Sequence, residues 1–78
     1  MRVIEDTRFE LTTVDGVVRY VSRVVVEVGG ETFYASREMT PDEYAKTYPM
    51  LRDYFHGMLK SDIMIQIEER IFIEGAKE

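Results

Sequence analysis

The chain has no cysteine and no tryptophan, only two prolines and a single histidine among its 78 residues. Without cysteine there is neither a disulfide framework nor a thiolate metal site. With one histidine, a metal centre would have to be built almost wholly from carboxylates. No apolar run approaches the roughly 20 residues of a membrane span, and the opening MRVIEDTRFE lacks the apolar core of a secretion signal. The expected setting is therefore cytoplasmic, with no membrane association and no cofactor. Glycine is sparse as well, and Gly29-Gly30 joins two apparent strands without the Lys-Ser/Thr that completes a phosphate loop. Ser22, Ser36 and Ser61 have no nucleophile-elbow surroundings.

What is present is a globular balance, 45% hydrophobic and 32% charged, in a length that makes one small domain over residues 1–78. The net charge of −5 is unevenly placed. Residues 1–37 hold five basic and six acidic side chains, whereas residues 38–78 hold five and nine. An acidic chain makes a poor ligand for nucleic-acid phosphates unless its cations gather on one face.

Asp15-Gly16 and Gly29-Gly30 stand between β-forming runs and mark two-residue hairpin turns, which demand positive φ at both central positions. The register then follows: Val14 faces Val17, Leu11 faces Tyr20, Phe9 faces Ser22, Val3 faces Val28 and Val26 faces Phe33. One face collects Val3, Phe9, Leu11, Val18, Tyr20, Val24, Val26, Val28, Phe33 and Ala35. Strands are expected over about 2–14, 17–28 and 31–37. Thr40, Pro41 and Glu43 open a helix over about 41–59, kinked or split at Pro49. Its apolar stripe reads Tyr44, Tyr48, Leu51, Phe55, Met58 and Leu59. Beyond it, Ile63, Ile65, Ile67, Ile71 and Ile73 recur at odd positions, a period-two pattern that predicts a fourth strand over about 62–74. The expected fold is α+β, in the order β-β-β-α-β: a mainly antiparallel four-stranded sheet with one kinked helix on one face.

Candidate chemistry is thin. His56 falls about 120° from the middle of the helix stripe, and with Asp53 three residues away it lacks the further ligands a metal needs. It reads as an ordinary residue of a solvated helix face. Glu5 and Glu69 fall on the nominal core face, where paired carboxylates could do acid–base work, but no nucleophile or oxyanion motif accompanies them. They read as lying where an 18-residue helix of about 27 Å fails to cover strands of about 40 Å. The chain is not expected to be an enzyme.

Two surfaces remain. Arg8, Arg19 and Arg23 with Tyr34 would share the open sheet face, an anion-binding patch of the kind used for single-stranded nucleic acid. Asp6, Glu10 and Glu27 would neutralise it on diagonals. Met50 and Tyr54 form an apolar shoulder on the helix, and Val21, Val25, Tyr34, Met64 and Phe72 are apolar surplus on the far side of the sheet. Met and Tyr suit protein contacts because they offer adaptable or low-entropy area. The expected function is a non-catalytic protein-binding module, a small homodimeric regulator or inhibitor of a larger protein, with viral and mobile-element inhibitors among its types. Nucleic-acid binding through the arginine face is the alternative. Partner-binding residues are then Met50, Tyr54, Tyr34, Val21 and Val25.

Overall fold

A computed structural model describes the backbone of residues 1–76 and the side chains of residues 1–71. Three strands, β1 (Arg2–Val14), β2 (Val17–Val28) and β3 (Glu31–Met39), form an antiparallel meander in the order β1-β2-β3. Both turns are two-residue turns with positive φ, 51° and 77° at Asp15-Gly16 and 58° and 81° at Gly29-Gly30. Val14 pairs with Val17, Leu11 with Tyr20 and Val26 with Phe33, as the turn chemistry predicts.

The register of β1 departs from expectation beyond Glu10. Arg8 and Phe9 together stand opposite Ser22, because Glu10 pairs with Val21 whereas Thr7 pairs with Arg23. This is a β-bulge, and its second residue, Phe9, takes φ 42°. A side chain branched beyond Cβ adopts that conformation only when its surroundings hold it there; Phe9 is buried. Ile4 is a second inserted residue, so Val3 pairs with Val26 rather than Val28. Since side chains alternate with period two, each insertion turns the strand over. Between the two bulges Asp6, opposite Val24, joins the face that β2 presents with Ser22, Val24 and Val26.

Thr40 caps α1 (Pro41–Lys46), its hydroxyl accepting the Glu43 N–H at 3.1 Å. Tyr44 docks α1 on the sheet by stacking on Tyr20 at 3.7 Å and 3°, with the Arg52 guanidinium 4.0 Å from the other side of the ring. Pro49 bars Tyr48 from helical geometry and stands at the first position of α2 (Pro49–Ala76), where its missing N–H costs nothing. The expected single kinked helix over 41–59 is thus two helices.

The expected strand over 62–74 does not form: those residues continue α2, making a helix of 28 residues and about 42 Å. The fold is α+β with a three-stranded sheet and a helical layer on one face. The misleading signal has a physical origin. Residues two apart on a helix project about 200° apart, so a helix apolar on two opposite faces alternates like a strand. Ile63 is 2% exposed and Ile65 51%, and Ile67 is buried again. Phe72, Ile73 and Glu74 lie outside the described side chains.

The core is Val24, Val26 and Phe33 from the sheet and Leu59, Ile63 and Ile67 from α2. The expected helix stripe was out of phase: Tyr48, Leu51 and Met58 are exposed. Leu11 and Val18, assigned to the core face, are also exposed. Ile63→Ala should cost about 2–5 kcal/mol as a buried large-to-small change. Ile65→Ala should cost under about 0.5 kcal/mol in urea unfolding at the lowest usable protein concentration. Equal losses at the two positions would contradict the helix.

Candidate functional site

Sheet and helix meet in one polar contact. His56, 1% exposed, lies between Ser22, 0% exposed, and Asp6. Its Nδ1 is 2.5 Å from the Ser22 hydroxyl and its Nε2 2.5 Å from the Asp6 carboxylate. The helix phase set by Pro49 aims His56 inward in the row that continues through Leu59, Ile63 and Ile67. The bulge at Arg8-Phe9 brings Asp6 round to meet it. Lys60, one helical turn further, adds an ammonium 3.3 Å from the other carboxylate oxygen.

Asp6 can only accept, so Nε2 carries the proton that they share. The Ser22 hydroxyl has one proton and two acceptors in reach, His56 Nδ1 and the Thr7 carbonyl at 3.2 Å. When it donates to Thr7, Nδ1 must itself donate and the ring is charged. When it donates to Nδ1, the ring is neutral. The His56 hydrogen bond, more than Lys60, holds the Asp6 carboxyl below the ordinary carboxylate range, against a smaller opposing push from desolvation.

Serine, histidine and aspartate in a chain are the components of a nucleophilic triad, but here the hydroxyl is closed off from any substrate. No buried polar side-chain atom among the described residues lacks a partner. The arrangement therefore works as a satisfied buried network that clamps α2 to β1 and β2. The expectation that His56 sits on a solvated face is corrected. Its expected neighbour Asp53 instead pairs with Arg8 at 3.1 Å. Glu5 and Glu69 are not brought together: Glu5 lies 3.8 Å from Arg23 across from Val25, and Glu69 is exposed on α2. No cluster of three His, Cys, Asp or Glu among the described residues is placed to hold a metal ion.

The arginine face is dispersed. Arg8 lies on the helix side, bound to Asp53, because the bulge carries it there. Arg23 pairs with Glu5 and lies 5.7 Å from the Tyr34 ring centre on the open face. Arg19 lines a shallow recess with Glu38, Thr40 and Glu43. Of the apolar surplus, Val25 is buried in the central strand between Glu5 and Tyr34, so it is not available to a partner. Val21 is half-buried and Tyr34 exposed, both on the sheet face away from α2.

Met50 and Tyr54 are on the opposite side of the molecule, 81% and 62% exposed on the outward face of α2. They are part of something larger. Leu51, Met58 and Ile65 are exposed on the same face, and Met64 and Ile71 are exposed along its edge, where each also lines a recess against the sheet. At 100° per residue these positions centre directly opposite Arg52, His56, Leu59, Ile63 and Ile67. A helix phase begun afresh at Pro49 would have revealed both rows. Comparison with protein-family models, with curated proteins and with solved structures found no match.

Ser22→Ala should cost about 1–3 kcal/mol in urea unfolding by leaving a buried ring nitrogen short of a partner. The pH dependence has a definite sign. Asp6 has a lowered pKa in the fold, so its contribution is present above the unfolded value near 3.8 and is lost as pH falls through the folded value. In Asp6→Asn that part of the acid destabilisation should vanish. An unchanged acid limb of stability would show that Asp6 does not supply it.

Proposed function

We propose that the chain is a non-catalytic protein-binding module, a small homodimeric regulator or inhibitor of a larger protein, and that the outward face of α2 is a surface through which it associates with protein. The observation that carries this reading is the second apolar face of α2, built from Met50, Leu51, Tyr54, Met58 and Ile65 away from the chain's own sheet, with the exposed Met64 and Ile71 along its edge. Contiguous apolar surface of this kind on a small domain marks an interaction site. The large side chains are Met, Tyr, Leu and Ile, which supply adaptable area and rigid anchors. A cytoplasmic setting belongs to this reading; no described helix is long and apolar enough to cross a membrane.

Binding of nucleic acid is not favoured by the geometry, because Arg8 and Arg23 are engaged by carboxylates on different faces. The burial of Ser22 and His56 speaks against hydrolysis at the Ser22–His56–Asp6 cluster.

Met58→Glu places a charge in the middle of the outer face without touching the core. Wild type and variant can be compared by size-exclusion chromatography with light scattering, alone and after capture from a lysate. Complexes, with itself or with another protein, are expected for the wild type and absent for the variant, with urea unfolding unchanged at protein concentrations low enough to dissociate the wild type. Equal association by both would sink the reading.

A further inference from the structure

The outer face of α2 repeats with a period of seven. Met50, Gly57, Met64 and Ile71 form one row, and Leu51, Met58 and Ile65 the adjacent one. Tyr54, Ser61 and Glu68 lie between them at the complementary three–four spacing. In heptad terms the second row is a, the third is d and the first is g, while the buried His56 and Ile63 are f. Two rows at a period of seven make a stripe that runs along the helix and that a second helix, gently supercoiled about it, can follow.

Resting on the reading of this face as a binding surface, we infer that its occupant is α2 of a second copy, packed antiparallel. The polar residues decide the orientation. In a parallel pair Glu68 would face Glu68 of the second copy within the seam, an unfavourable like-charge contact, and the acids Asp62 and Glu69 at the e positions would lie against Gly57 and Met64. In an antiparallel pair e meets e and g meets g. With Tyr54 of each copy against Ile65 of the other, Met50 lies beside Ile71, and the small Gly57, whose surroundings are open to anything a Cβ would meet, lies beside Met64.

The same register supplies charge complementarity. Asp62 of one copy comes to Phe55 of the other, and Arg37 lies over that Phe55 ring at 3.9 Å. Arg37 has no carboxylate within ion-pair distance among the described residues. Glu69 comes to the exposed Tyr48, whose hydroxyl can donate to it. Glu68 comes beside Leu51, in the first turn of the other helix, where the positive end of the macrodipole favours an acid. The arrangement is isologous, so it closes as a two-fold dimer and each contact occurs twice. The sheet edges compete poorly for this role. The free edge β1 carries two bulges and the charges Glu5, Asp6, Arg8 and Glu10, the devices that block strand addition. On β3 the Tyr34 carbonyl already accepts from Gln66 at 3.1 Å.

The purified chain should scatter as twice its 9.2 kDa mass, and the cysteine-free sequence makes disulfide mapping clean. Tyr54→Cys mixed with Ile65→Cys should cross-link on mild oxidation. Tyr54→Cys alone should not, because its two copies would stand about 16 Å apart along the helix axis, beyond disulfide reach. Asp62→Arg should weaken the dimer about tenfold through its two equivalent contacts, and Asp62→Arg with Arg37→Asp should recover most of that loss. Self-cross-linking of Tyr54→Cys alone would overturn the antiparallel arrangement. A monomer at every concentration would overturn self-pairing, and would leave the binding face standing only if Met58→Glu still abolished a complex with another protein. A dimer that Met58→Glu leaves intact would overturn both.

Discussion

The contact of His56 with Ser22 and Asp6 governs how the two layers of this molecule fit together. A buried imidazole between a hydroxyl and a carboxylate is tolerated only when both ring nitrogens are satisfied, and satisfying them constrains three elements at once. Asp6 must turn toward the helix, and the strand accomplishes this by inserting an extra residue at Arg8-Phe9 and holding Phe9 at φ 42°. Ser22 must lie on the helix-covered side of the central strand. On the helix side, the phase of α2 must put residue 56 inward, which puts Leu59, Ile63 and Ile67 inward with it. The strain of the bulge is thus offset by a network in a low-dielectric setting, where a satisfied hydrogen bond is strong and an unsatisfied one costly.

Once the inner face is set, the outer face is determined as well. A straight helix offers only one rotational freedom, and the histidine uses it. The residues diametrically opposite become a second stripe of large apolar chains exposed by the same geometry that buries the first. Burying a Leu, Ile or Met side chain fully is worth about 1.5–3 kcal/mol, and α2 contributes three such residues to its own core while leaving at least as many outside. A domain this small leaves a large share of its apolar surface wet. Association through the second stripe, as proposed, would therefore add substantially to its stability.

Local chemistry made part of this fold legible. Asp15-Gly16 and Gly29-Gly30 dictated the turns, and the turns dictated pairing as far as Glu10. Thr40 and Pro41 located the start of α1. Beyond that the period rule failed in both directions. Nothing in RVIEDTRFE marks a bulge, since the inserted residue is Phe rather than the glycine that usually signals positive φ; its cause lies 47 residues away, in His56. In the second half the alternation of isoleucines was real but had two possible sources. A half-buried strand and a doubly apolar helix alternate alike over a few turns, and length arbitrates between them: no strand signal explains why Met50, Leu51, Tyr54 and Met58 belong to the same row as Ile65. Pro49 hid this row, because a helix phased from Tyr44 across the break at Thr47-Tyr48 is rotated relative to the true one. Met50 and Tyr54 are surface residues as expected; Arg8 moves to the helix side because one assumed register served the whole of β1, and Val25, on the expected face, is covered by its neighbours in the central strand.

The uneven charge of the chain fits this picture. Three of the nine acids of residues 38–78, namely Asp62, Glu68 and Glu69, lie on or beside the outer face of α2. The cations of the same helix are elsewhere: Lys60 at Asp6, Arg52 on Tyr44, Arg70 at Glu31. An apolar seam flanked by one sign of charge at one end discriminates among partners, because a parallel copy or an acidic surface would bring like charges into a drying interface. In the proposed antiparallel pair those acids would meet Arg37, Tyr48 and the positive end of a helix. In that pair the same helix would carry attraction along its length and selection at its ends.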